Sequence, residues 1–171
     1  LPETDTTDAL ESTRGMSNRQ QSGRLLALDL GQRRVGVAVS DELRITVSPQ
    51  PPLSRTNWKQ LLQDVRNALD SFDAKGLVIG LPLNMDGSEG IAAQEARRLA
   101  ANFEKSLNVP VHLQDERLTS REAEATLRAA KHTEQAIRGL LDSEAAGIIL
   151  RDFIAGEQRS YSPPEDSTDD T

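Results

Sequence analysis

Asp29 stands inside an apolar run, Leu25-Leu26-Ala27-Leu28-Asp29-Leu30, that ends at Gly31. Moving a carboxylate out of water costs on the order of several kcal/mol unless it is paired or coordinates a metal. An aspartate can instead cap a turn just beyond a strand. Here Leu30 follows and keeps Asp29 within the run, so the residue points to chemistry. A second acidic site is Asp115-Glu116-Arg117-Leu118-Thr119-Ser120, which follows the short apolar segment Val111-His112-Leu113-Gln114. It reads either as a strand-end ion pair among Asp115, Glu116 and Arg117 or as a functional strand end. Thr119 or Ser120 can cap the next helix, with Glu122 as a partial capping-box partner. The third is Asp142, on one helical stripe with Ala145, Ala146, Ile149 and Phe153. It is either an N-cap or an inward-facing ligand, and one residue could do both. Glu144 falls off that stripe.

Three carboxylates from three separate elements suit a hard cation. Mg2+ or Mn2+ binds through one or two carboxylates, water and substrate phosphate. Two such ions about 4 Å apart activate water and stabilise a leaving oxygen in phosphodiester cleavage. A glycine-rich stretch, Gly80-Leu81-Pro82-Leu83-Asn84-Met85-Asp86-Gly87-Ser88-Glu89-Gly90, precedes a helical segment. It offers backbone N–H groups to phosphate, although it lacks the P-loop lysine pattern. Arg117, Arg121 and Arg128 share a helical stripe that reads as a solvated face or as phosphate contacts. His112 and His132, the two histidines, have no partner spacing and read as structural. With aromatics at 3%, no base-stacking platform is visible.

The elements that must position these groups follow from periodicity. Residues 24–30 read as a central strand, apolar on both faces. Val35, Val37 and Val39 alternate over 34–40, and the short Gly31 turn makes an antiparallel hairpin. Ile45-Thr46-Val47 reads as a third strand stopped by Pro49, Pro51 and Pro52. Trp58, Leu61, Leu62, Val65, Leu69 and Phe72 recur at helical spacing. Leu77-Val78-Ile79 is a fourth strand, and Ile91, Ala92, Ala96, Leu99, Phe103 and Leu107 mark a second helix. Residues 111–114 form a fifth strand, with helices expected at about 119–130 and 140–156. A meander feeding parallel crossovers gives a mixed α/β sheet with helices on both faces. Ligands gather at the carboxyl ends of strands in such sheets.

The chain has 171 residues and no cysteine, so one domain is expected and thiolate chemistry is excluded. The net charge is −7. Residues 1–23 carry −2 and residues 157–171 carry −4, which leaves −1 for residues 24–156. The acidity therefore says little about the partner of the folded part. Both flanking segments are expected to be disordered. No apolar run is long enough for a transmembrane helix and no secretory pattern is visible, so a cytoplasmic protein is expected.

Taken in order and spacing, these motifs resemble the YqgF/RuvX family of ribonuclease-H-like nucleases over about residues 24–154. The resemblance rests on Leu28-Asp29-Leu30-Gly31 with Arg34-Val35-Gly36-Val37-Ala38-Val39-Ser40-Asp41, the 80–88 loop, Asp115-Glu116-Arg117-Leu118-Thr119, and Asp142-Ser143-Glu144-Ala145-Ala146. Ser120 departs from a frequent threonine in the family. The resemblance implies a five-stranded ribonuclease-H-like α/β fold and Mg2+ or Mn2+. It names Asp29, Glu116 and Asp142 as catalytic metal ligands, with Asp115 a rival for Glu116. Arg34, Asn84, Arg117 and Thr119 would hold the phosphate backbone. The implied reaction is maturation of the 5′ end of pre-16S rRNA, with cleavage of four-way DNA junctions as the alternative. The partner is then precursor ribosomal RNA or branched DNA, not a membrane, and a homodimer is one expected assembly. An actin-like ATP-binding protein also opens on an aspartate hairpin. It needs a duplicated core and a second phosphate motif, for which 171 residues leave little room. A binding module without catalysis would face the cost of three carboxylates near phosphate.

Overall fold

The computed structural model describes residues 22–117 and the helix over 134–160, with side chains of that helix from 143 to 159. The expected sheet is present as β1 (Leu25–Leu30), β2 (Arg34–Ser40), β3 (Val47–Ser54), β4 (Gly76–Leu81) and β5 (Val111–Asp115), in spatial order β3-β2-β1-β4-β5. β1 runs antiparallel to β2 and parallel to β4, and β4 runs parallel to β5. The described helices are α1 (Trp58–Phe72), α2 (Ile91–Ser106) and α3 (Glu134–Ser160).

The two faces of β1 explain its unbroken apolar run. Leu26 and Leu28 pack with Val35, Val37, Leu77 and Ile79 against Leu61 and Val65 of α1 and Phe103 of α2. Leu25 and Ala27 pack with Ala38 and Val78 against Ala146, Ile149 and Leu150 of α3. Small residues on both sides of that second contact bring α3 close to the sheet. Asn57 caps α1 by accepting from the Gln60 N–H at 2.9 Å. Trp58 lies on Phe103 with ring centroids 4.8 Å apart, the core role expected of it.

Several expectations are corrected. The third strand is not 45–47 stopped by prolines; it is 47–54 and contains them. β3 is the sheet edge, where a missing N–H can face away from the ladder. Between the pairs Val35↔Leu53 and Val37↔Gln50, Pro51 and Pro52 together oppose Gly36 in a bulge. Ile45 is 76% exposed and lies outside the strand. Ile91 is 87% exposed rather than part of the buried stripe of α2, which is Ala93, Ala96, Leu99, Ala100 and Phe103. α3 starts before residue 140, so Asp142 lies inside the helix and is not its N-cap. The helix also continues into the segment expected to be a tail, because Glu157 pairs with Arg44 at 2.7 Å. The helix expected at 119–130, Arg121, Arg128 and His132 lie outside the described residues, as do residues 1–21 and 161–171. Among the described residues no helix is long and apolar enough to cross a membrane.

Candidate active site

Asp29 is the fifth residue of β1, on the face covered by α3. Its cross-strand partner on β2 is Gly36. On the other side the register Leu28↔Ile79 carries forward to Gly80. A half-buried carboxylate thus stands between two strand positions that have no side chain. Glu116 follows β5 directly, and its N–H donates to the Leu81 carbonyl at 3.1 Å, which fixes the strand end against β4. Its side chain reaches across Gly80 to hydrogen-bond Asp29. A Cβ on Gly80 would fall 2.2 Å from Glu116 Oε2 and 2.6 Å from Ile149 Cδ1. Gly80 is therefore the gap through which the two carboxyl groups meet.

Two carboxylates in contact cannot both ionise cheaply. Burial, then the charge of Asp29, pushes the Glu116 carboxyl up to about 8. The neighbour Asp115 behaves oppositely. Its carboxylate accepts from the Arg117 backbone N–H at 2.9 Å and from Arg117 Nε at 2.7 Å. The Arg117 guanidinium holds Asp115 below the usual carboxylate range, and Asp115 and then Asp86 raise Arg117 in turn. The ion pair expected at this strand end exists between Asp115 and Arg117, while Glu116 is the residue that meets Asp29.

The direction of α3 follows from its contacts. Glu157 pairs with Arg44, whose Nε donates to the Gly23 carbonyl at 3.0 Å, just before β1. Ile149 instead lies over Gly80, near the end of β4. The helix thus runs against β1, and position 142, two turns before Ile149, lies further toward the end where Asp29 and Glu116 stand. The side chain of Asp142 is outside the described set, and so is Thr119. Arg34 opens β2, and its carbonyl accepts from the Gly31 N–H at 3.0 Å. Asn84 is used within its own loop, where its Nδ2 donates to Ser88 Oγ at 2.9 Å. His112 is a packing residue beside Phe153, with ring centroids 4.9 Å apart.

Sequence reading put Gly80 in the loop after the fourth strand, whereas it lies inside β4, and it passed over Arg55. A glycine between Ile79 and Leu81 in a buried strand is a signal of close approach. Arg55 gives no such signal. It donates to the Gly31 carbonyl at 2.7 Å and pairs with Glu95 of α2, bracing the turn that follows Asp29. A cavity of about 760 Å³ opens elsewhere, at the amino ends of β1, β4 and β5 beside Leu25, Lys75 and Pro110, away from the carboxylates.

No group of three His, Asp or Glu side chains sized for a metal forms among the described residues. The pair Asp29 and Glu116 nonetheless fits a hard divalent ion. Such ions need one or two carboxylates, and a cation is what removes the cost of holding two acidic groups together.

The family model described as RuvX, Holliday junction resolvase, matches residues 23–156. A protein of Anaeromyxobacter sp. (strain Fw109-5) named "Putative pre-16S rRNA nuclease" is 39% identical over 133 residues, covering 78% of this chain and 97% of its own. One of the same name from Halothermothrix orenii is 37% identical over 131 residues, covering 77% and 94%. Among solved structures, Thermus thermophilus RuvC is similar in fold, with a TM-score of 0.50 at 11% identity over 82% of this chain and 99% of that one.

Proposed function

The chain belongs to the RuvX family of Holliday junction resolvases, and from that premise we propose that it is a divalent-metal-dependent endonuclease whose reaction is 5′-end maturation of pre-16S rRNA. The observation that carries this reading is the Asp29–Glu116 contact at the carboxyl ends of β1 and β5, across a glycine of the strand between them that makes room for it. The RNA substrate is supported by the names of relatives that align over nearly their whole length. The family description supports a second reading, cleavage of four-way DNA junctions, for which a homodimer would supply one site per cut strand. A pre-16S rRNA nuclease would work in the cytoplasm, where its substrate is made.

Asp29 and Glu116 would hold Mg2+ or Mn2+, with Asp142 of α3 as the third carboxylate. Bound there, the ion supplies Lewis acidity that lowers the pKa of water and offsets charge on the leaving oxygen. The protein's own groups do the rest. Glu116 gives up its proton when the site is loaded, so loading is favoured as pH rises. Gly80, lacking a side chain, lets the two carboxyl groups meet, and Ile149 packs beside that gap. Arg34 and Arg117 draw in the phosphate backbone, and Thr119 follows on the same strand-end segment. Asn84 acts through the shape of its loop, which delivers substrate to the start of α2, where Gly90 supplies no side-chain cap for the first N–H groups.

The test is cleavage of a precursor 16S rRNA fragment and of a four-way DNA junction, with Mg2+ or Mn2+, by the wild type and by Asp29→Asn. Cutting of the RNA that is lost in the variant and in chelator is the expected result. Cutting of the junction alone selects the second reading. Full activity of Asp29→Asn, or of the wild type in chelator, overturns both.

A further inference from the structure

The loop between β4 and α2 uses nearly all of its polar groups on itself. The Asn84 N–H donates to the Ser88 carbonyl at 2.9 Å and the Gly87 N–H to the Asn84 carbonyl at 2.8 Å. Ser88 Oγ donates to Asp86 Oδ1 at 2.6 Å, and Arg97 pairs with Glu89 at the loop's end. Gly87 sits at φ +85°, a conformation that L side chains rarely adopt. The result is a fixed turn whose tip residue, Met85, is 64% exposed. A locked polar turn that holds a long apolar side chain in water gains nothing for the fold from that side chain.

Met85 shares an open cavity of about 330 Å³ with Gln114, Asp115 and Arg117. That notch lies at the carboxyl end of β5, the strand end that Glu116 follows, although neither Asp29 nor Glu116 lines it. One wall is thus a polarizable thioether, another an amide, and the rim carries the Arg117 guanidinium paired with the Asp115 carboxylate. No described aromatic ring takes this place, because Trp58 and Phe103 pack together in the core. A thioether on a flat π-face is a favourable contact, and a guanidinium beside it serves phosphate or the ring edge.

The geometry points to a nucleobase subsite in which Met85 covers the face of an unpaired base, at the same end of the sheet as the phosphate that Asp29 and Glu116 would hold. The proposal rests on the nuclease reading and adds a substrate feature to it. A base within a duplex has both faces stacked, so only an unstacked nucleotide can fill the notch. The site thereby selects the boundary between paired and unpaired strand.

The experiment is a binding titration with the full chain in calcium. It uses an RNA duplex with 2-aminopurine in a short single-stranded overhang and the same duplex fully paired. The overhang probe should change fluorescence on binding. Met85→Ala should weaken binding to the overhang duplex about tenfold and bind the paired duplex within twofold of wild type. Met85→Leu should retain most of the affinity. Equal loss on both duplexes makes Met85 a structural residue and overturns the proposal, as does no loss on either. An unchanged wild-type probe signal overturns it independently of any variant. The readout is binding, so a chain that shows this pattern yet cuts nothing overturns the nuclease reading and leaves the subsite standing. A chain that cuts, with a Met85→Ala that does not discriminate, does the reverse.

Discussion

The two ends of the sheet treat charge in opposite ways. At the amino end of β1, Arg44 and Asp41 each meet a donor or an opposite charge. Arg44, 8% exposed, pairs with Glu157 at 2.7 Å. Asp41 accepts from the Ile45 and Thr46 N–H groups at 2.7 and 2.8 Å, which hold its carboxyl below the usual range. At the carboxyl end, Glu116 is pushed against Asp29 and up to about 8. The first arrangement locks a loop to the end of α3. The second is unfavourable without a cation, and it persists because β1, β4 and β5 are fixed by their own cores. Asp115 and Arg117 also pair at the carboxyl end, so the contrast rests on the Asp29–Glu116 contact alone.

Asp29→Asn is the sharpest way to separate the two ends. It should lower cleavage about 10³-fold or more, read as single-turnover rate with Mn2+. The metal-free fold should be about as stable as wild type, because asparagine keeps the size of Asp29 and an oxygen that can accept from the protonated Glu116 carboxyl. A loss of fold in Asp29→Asn would mean that the carboxyl end is held together by this charge as the amino end is by its own.

Gly80→Ala tests the same contact without touching a charge. Its Cβ would displace either the Glu116 carboxyl or Ile149, at 2.2 and 2.6 Å. Cleavage should fall about 100-fold, and overpacking should cost about 1–3 kcal/mol by denaturant unfolding. A neutral Gly80→Ala would show that Glu116 need not lie across β4.

These two residues also mark what could be read from sequence. Asp29 was visible because a charge interrupts an apolar run, a signal needing no knowledge of neighbours. Glu116 was not separable from Asp115, because adjacent residues at a strand end face opposite ways and a one-residue shift exchanges them. The structure resolves the geometry through Glu116 N–H to Leu81, a contact 35 residues away in sequence. β1 and β2 announced themselves by their apolar patterns, whereas β3 did not. Its prolines argue against a strand locally, and only its place at the sheet edge makes them tolerable. Arg55 braces the Gly31 turn through a contact across 24 residues, with no local pattern to reveal it.

The pH dependence of metal binding should distinguish the ends more gently. Glu116 lies at about 8 in the fold against an ordinary 4.5. A carboxyl raised by folding favours the folded state below its ordinary value, and that contribution is lost as pH rises toward about 8. The metal-free protein should therefore lose stability across this window, and Mn2+ should restore it. The gain in Tm on adding Mn2+ should be near zero at pH 5 and several degrees, about 3–6 °C, at pH 8. Asp29→Asn should flatten the profile. Asp41 and Asp115, held low, work in the other direction, and their contribution fades only as pH falls below the ordinary carboxylate range. A Tm gain from Mn2+ that is the same at both pH values would remove the coupled proton from the site.

Glu157→Gln addresses the amino end alone. It removes the carboxylate that Arg44 Nη1 meets at 2.7 Å but keeps the side chain's size and one acceptor oxygen. Glu157 is 32% exposed, so solvent screens part of the pair, and the expected cost is about 0.5–1 kcal/mol. That corresponds to a fall in Tm of about 2–4 °C. Cleavage should stay within twofold of wild type, because Arg44 and Glu157 stand at the opposite end of the sheet from Asp29. If cleavage fell as far as stability allows no account of, the two ends would have to be coupled through α3, the one element that carries both Glu157 and position 142. The same variant therefore measures how independently the structural and chemical ends of this sheet behave.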